Sequence, residues 1–333
     1  MVLRLLARQA IPSSMSSITV ADNAPLFVLL NAASGHNDTA DTCAVIEEVL
    51  NAAGREHAIT LVHDARQLET MAQDIIEKAQ QHNGVVVMAG GDGSINTVAR
   101  LMLGTGRPFG VLPLGTFNLF SRTHTIPEAL AEAVHVLLSS RAEAVHIAMA
   151  NDRTFIVNAS LGMYPQLFED REAWKKKYGR SRFIAFVAGI ATLLQEHHQL
   201  NLTFQRDGQT VTIRTPTLFI GNNPLQLRQI GILQNDETLE PEQLMAVTIR
   251  PVSTLGILWL MLCGTFGKLG EAENVISFKF SELSIKRTGS FRSRAVKIAT
   301  DGEVSWTRLP LEFRISPEPL YLLKPATVGA SVE

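Results

Sequence analysis

The segment Val85-Val86-Val87-Met88-Ala89-Gly90-Gly91-Asp92-Gly93-Ser94-Ile95-Asn96 constrains the fold more than any other part of the chain. Its β-branched, apolar start reads as a strand buried on both faces, the signature of a parallel sheet. The strand stops at Gly-Gly-Asp-Gly, and a helical pattern follows from Ser94, a residue suited to N-capping. Glycines let backbone N–H groups approach a ligand unobstructed, and the helix start adds unpaired N–H groups and partial positive charge. Such a turn holds phosphate. An acid inside it makes sense where a cation or a hydroxyl proton must be handled beside the phosphates. The competing reading is a plain strand-to-helix turn in which Asp92 caps the helix.

A second strand, Val111-Leu112-Pro113-Leu114, ends in Gly115-Thr116-Phe117-Asn118. A third, Leu26-Phe27-Val28-Leu29-Leu30, runs into Asn31-Ala32-Ala33-Ser34-Gly35. Polar, glycine-containing turns after parallel strands converge on one crevice, where open α/β sheets bind ligands. The chain has no GxxxxGK[ST] loop, and GGDGS lacks the dinucleotide GxGxxG spacing. The candidate phosphate-contacting set is therefore Asn31, Ser34, Gly35, Gly90, Gly91, Asp92, Gly93, Ser94, Gly115, Thr116 and Asn118.

NAASG, GGDGS and PLGTFN, in this order, resemble the diacylglycerol kinase catalytic-domain family, a superfamily of bacterial lipid kinases and sphingosine kinases related to NAD kinases. Asn158-Ala159-Ser160-Leu161-Gly162-Met163-Tyr164-Pro165, Gly221-Asn222-Asn223 and Asp301-Gly302-Glu303 resemble further family landmarks, so the likeness runs from about residue 25 to 325. The resemblance implies a nucleotide-binding domain with a parallel sheet, then a mostly antiparallel β-sandwich domain. It also implies transfer of the γ-phosphoryl of ATP to a lipid alcohol such as diacylglycerol, with Mg²⁺. Carried over, Glu303 is the general-base candidate, Asp301 orients it, and Asp92 assists with the proton or the metal; Asp92 and Asp301 are the metal-ligand candidates. Asp301-Gly302 is also a common hairpin turn. Two departures stand out. Phe117-Asn118-Leu119 replaces the usual Gly-Asn-Asp, making this a variant branch. Leu239-Glu240-Pro241-Glu242-Gln243-Leu244 replaces the family's acidic metal loop and reads as a solvated loop.

At 333 residues, 46% of them hydrophobic and 19% charged, the chain can fill two domains with real cores. A formal net charge of −2 gives no electrostatic case for nucleic acid. Cys43 and Cys263 lack metal-ligand spacing and suit a reduced, cytoplasmic setting. Strand–helix alternation from Pro25 to about Ala144 implies right-handed βαβ units. After Val145 short Thr/Val/Ile/Phe strands dominate, interrupted by helices at about 182–198 and 254–266. The segmentation is a flexible tail at 1–23, an α/β nucleotide-binding domain at 24–145, a β-rich substrate domain at 146–325 and a tail at 326–333. Residues 255–267 are apolar but too few to span a bilayer of roughly 30 Å. The basic run Arg171–Arg182, with Trp174 and Tyr178, suits an anionic membrane surface as well as it suits a solvated face. The expected partners are a lipid alcohol, an anionic membrane at its inner face, and a second copy in a homodimer. Alternatives are a kinase of a soluble alcohol or NAD, or a non-catalytic nucleotide or lipid sensor.

Overall fold

The computed structural model describes residues 17–33, 38–139, 141–162, 200–206, 209–234, 237, 239–240, 242–287 and 295–325. Ser34, Gly35, the 171–182 cluster and the helix expected near 182–198 lie outside the described residues.

The first sheet has seven strands. The four strands at one end of it, Pro108–Pro113, Val85–Gly90, Leu26–Asn31 and, at the edge, His57–Val62, are parallel. Val85–Gly90 and Pro108–Pro113 are buried along their whole length, as continuous apolar runs require. From Leu26–Asn31 the chain pairs His57–Val62 on one side and Val85–Gly90 on the other. The connections therefore diverge between Asn31 and Gly90, a topological switch point. Register brings the strand ends level: Leu30 stands opposite Ala89, and Gly90 opposite Pro113. The helices Thr39–Ala52 and Leu130–Val136 pack together, as do Leu68–Gln81 and Asp92–Met102.

Two elements extend this sheet beyond the span expected from sequence. Ser17–Thr19, within the expected tail, pairs antiparallel with Arg141–Val145. Leu320–Leu323, expected in the second domain, lies between Arg141–Val145 and Pro108–Pro113, parallel to the latter. All four of its residues are buried, so the chain's last described strand completes the first core.

The remainder forms two six-stranded sheets, and every pairing in them is antiparallel. Phe155, Leu283, Ile285 and Phe313 from one sheet share a core with Leu161, Ile220, Ala246 and Ile298 from the other. The apolar-rich run from Val275 to Arg287 is two strands, Val275–Phe280 and Glu282–Arg287, one in each sheet. The described part is thus a mixed α/β sheet, parallel except for two pairings at one edge, followed by an antiparallel sandwich.

Candidate active site

The glycine turn builds the floor of the site. The helix starts at Asp92, two residues before the expected Ser94, and Gly91 is its N-cap with extended backbone (φ −86°, ψ 175°). Ser94, the third helical residue, is past the capping position, and its hydroxyl accepts from Asn31 Nδ2 at 2.9 Å. Asn31 Oδ1 in turn accepts from the Ala33 N–H at 3.0 Å, so one buried side chain ties two strand-end turns across the switch point. The first-turn amides of an 11-residue helix are left without intrahelical acceptors. A Cβ built on Gly93 would meet nothing within 4 Å. Open space over unpaired N–H groups is what a phosphate needs.

The second turn is braced against the first. Leu114 N–H donates to the Gly90 carbonyl at 3.0 Å. A Cβ on Gly115 would lie 2.8 Å from the Gly91 Cα, so only glycine permits this approach. Asn118 sits in the left-handed region (φ 48°, ψ 40°), which Asn tolerates better than most residues. Its side chain closes the turn on itself: Gly115 N–H donates to Asn118 Oδ1 at 2.9 Å, and Asn118 Nδ2 donates to the Gly115 carbonyl at 3.0 Å. Asn118 therefore shapes the turn, whereas Thr116 and Phe117 stand exposed at its crest.

Asp92 reaches across to the next helix. Its two carboxylate oxygens accept from the Leu119 and Phe120 N–H groups at 3.1 and 3.0 Å. Asp92 therefore does not cap its own helix, whose N-cap is Gly91; its carboxylate instead receives the first amides of Leu119–Thr123. Asp301 does the equivalent from the second half of the chain. With Gly302 it makes a two-residue hairpin turn, both at positive φ (48° and 88°), between Ala295–Thr300 and Glu303–Arg308. Asp301 Oδ2 accepts from the Ile156 N–H at 2.8 Å, and Oδ1 from the Val157 and Asn158 N–H groups at 2.9 and 3.0 Å. The hairpin reading of Asp301 is met, and its carboxylate braces the 156–158 backbone.

Burial pushes the Asp301 carboxyl up to about 6; its three amide donors pull the other way, and the nearby Asp92 charge raises it further. Asp92 and Asp301 are therefore brought within electrostatic reach of one another between the two halves. Glu303 begins the next strand and is exposed. The Asp301 carboxylate is held by the 156–158 amides, so it does not orient Glu303 by a direct contact.

Residues outside the expected set close the seam. Asn223, 1% exposed, caps the helix Pro224–Gln229 through the Gln226 N–H and donates to the Leu119 carbonyl and Thr123 Oγ1 at 3.0 and 2.7 Å. Asn158 Nδ2 donates to Gln226 Oε1 at 3.0 Å. Thr154 Oγ1 donates to Asn96 Oδ1 at 3.0 Å. Asn158 and Asn223 fall in stretches that resemble family landmarks, whereas Asn96, Thr154 and Gln226 carry little signal, since a polar residue looks like any other until its distant partner is known. In the loop at 239–244, Glu240 and Glu242 are exposed, consistent with a solvated segment.

Residues 25–150 match the family model described as the diacylglycerol kinase catalytic domain. The fold agrees with that match. A crystal structure of a diacylglycerol kinase from Bacillus anthracis str. Sterne superposes with a TM-score of 0.63 at 16% identity, covering 91% of this chain and 97% of that one. Among curated relatives, an uncharacterized protein of Synechocystis, sll0036, is 27% identical over 76% of this chain. A probable lipid kinase, YegS, of Salmonella dublin is 30% identical over 47% of it. The matched spans amount to 60% of the length of each of these two relatives.

Proposed function

We infer that this chain is an ATP-dependent lipid kinase, transferring the γ-phosphoryl of ATP to the hydroxyl of diacylglycerol or a related lipid alcohol. One observation carries the reading. Three parallel strand ends meet at a glycine-lined, amide-rich crevice, and the Asp92 and Asp301 carboxylates, one from each half of the chain, brace backbone segments. In the reaction, the Gly91–Ser94 amides hold the phosphates, and Gly91 and Gly93 keep side chains out of their way. Glu303 takes the hydroxyl proton as the acceptor oxygen bonds to the γ-phosphorus and the bond to the β-phosphate oxygen breaks, releasing ADP. Asp301 and Asp92 act by position, holding the 156–158 segment and the Leu119–Thr123 helix against the crevice.

Both oxygens of Asp92 and of Asp301 are already engaged by backbone amides. No cluster of three or more His, Cys, Asp or Glu side chains able to hold a metal ion occurs among the described residues. These residues do not fit a protein-built Mg²⁺ cage. Mg²⁺ enters as the ion that ATP carries on its phosphates.

Leu119, standing where the family usually has an acid, favours a second reading: a nucleotide sensor that keeps the fold without turnover. Glu303→Gln separates the two. The amide keeps shape but removes the base, so turnover on a lipid alcohol should fall roughly 10²–10⁴-fold with ATP affinity unchanged. Wild-type turnover in the variant would end the role of Glu303. ATP binding without turnover on any alcohol by the unmodified protein would favour the sensor.

A further inference from the structure

The 12-residue helix Thr254–Thr265 is apolar throughout. Leu255, Trp259, Leu262 and, just past its end, Phe266 recur at spacings of four, three and four, which places them along one face. That face is turned to solvent: their exposures are 77%, 62%, 48% and 72%. Leu260, off that stripe, is 5% exposed and anchors the helix to the body of the protein. Isolated exposed apolar side chains need no explanation, but four in a line on one helix, two of them aromatic, mark a contact surface.

The stripe is rigidly mounted. Ser253 caps the helix start through the Gly256 N–H. At the other end the Leu269 and Gly270 N–H groups donate to the Ile230 and Gly231 carbonyls at 3.0 and 3.1 Å. Gly231 and Gly267 approach so closely that a side chain at Gly231 would collide with the Gly267 carbonyl. Residues 230–231 directly follow the helix Pro224–Gln229, whose cap Asn223 bonds to Leu119 and Thr123 beside the nucleotide turns. Whatever the stripe contacts is thereby held in a set orientation to the crevice.

We propose that this face docks on a lipid bilayer carrying anionic headgroups, lying in the plane of the interface. The helix, at 1.5 Å per residue, is about 18 Å long and cannot cross a hydrocarbon core of roughly 30 Å. Among the described residues no helix is long and apolar enough to cross. Trp, Phe and Leu on a rigid face suit the headgroup–acyl boundary, where an indole keeps its N–H wet while its ring is buried. Charge points the same way. From residue 251 to 270 the sequence holds no Asp or Glu, and the exposed Arg250 and Lys268 flank the stripe at its two ends. Two cations bracketing an apolar face complement anionic lipid and would be ill placed against a second copy of the same face. The proposal rests on the lipid-alcohol reading for its purpose, because such an acceptor resides in the bilayer, and not for its geometry.

Flotation of the full chain with phosphatidylcholine vesicles containing phosphatidylglycerol tests it. The unmodified protein should float with the vesicles. The double variant Trp259→Glu/Phe266→Glu should lose at least about tenfold in partitioning. Its stabilisation by ATP should be unchanged, which shows that the variant is folded. Raised salt should weaken binding without abolishing it, since most of the contact is apolar. Failure of the unmodified protein to float, or equal flotation of the variant, overturns the proposal. So does a dimer of the unmodified protein that the substitutions convert to monomer, which assigns the stripe to a second copy. Flotation without kinase activity on any alcohol would leave the docking face standing and remove the function proposed above.

Discussion

The Asp301 carboxyl sits where burial and hydrogen bonding oppose each other. Burial is the larger influence and holds it at about 6, against 3.8 for a free side chain. Between those values the folded state binds the proton and the unfolded state does not. The group's contribution to stability is therefore fully present below pH 3.8 and is lost as pH rises through about 6. Function runs in the opposite sense. Only the ionised carboxylate can accept from all three amides at 156–158, so turnover should decline as pH falls below about 6. Asp92 raises Asp301 through like charge, so Asp92→Asn should move that acid limb to lower pH whatever it does to the maximal rate. An unmoved limb, read from a pH–rate profile or a carboxyl NMR titration, would show that the two carboxylates do not sense each other.

At the level of elements, the site is two glycine turns held in contact, and the two glycines have different tasks. A Cβ at Gly115 would lie 2.8 Å from the backbone of Gly91, whereas one at Gly91 would lie 3.4 Å from Gly115, an ordinary contact. Gly115→Ala should therefore destabilise the protein by about 1–3 kcal/mol, as overpacking does. Gly91→Ala should leave stability nearly intact while weakening ATP binding, because its methyl enters the phosphate cradle. Thermal unfolding with and without ATP and Mg²⁺ separates the two effects. These turns were legible in the sequence because strand period, glycine and helix period follow each other within a dozen residues. What Asp92 bonds to was not, since Leu119 and Phe120 stand 27 and 28 residues away. The break that sends Val275–Phe280 and Glu282–Arg287 into different sheets is a single residue, Ser281, and an alternating pattern carries no mark of which sheet it enters.

Across the whole molecule, the two halves are joined by more than chain connectivity. Leu320–Leu323 returns to the first sheet beside Pro108–Pro113, a placement that four apolar residues could not announce in advance. Asn96–Thr154 and Asn223–Thr123 add polar ties that run from the helices behind the glycine turns into the second half of the chain. Those ties hold the glycine turns and the mounted apolar helix in one frame, as the proposed phosphoryl transfer to a membrane-borne hydroxyl would demand. The central claim is that phosphoryl group leaves ATP in this crevice for a lipid alcohol. The direct test is incubation of the purified full chain with γ-labelled ATP, Mg²⁺ and diacylglycerol in mixed micelles, alongside soluble alcohols and NAD, with Gly91→Val as the control for the cradle. The account predicts label on the lipid with the unmodified protein and none with Gly91→Val. Label on a soluble alcohol or on NAD alone, or undiminished lipid labelling by Gly91→Val, would contradict it.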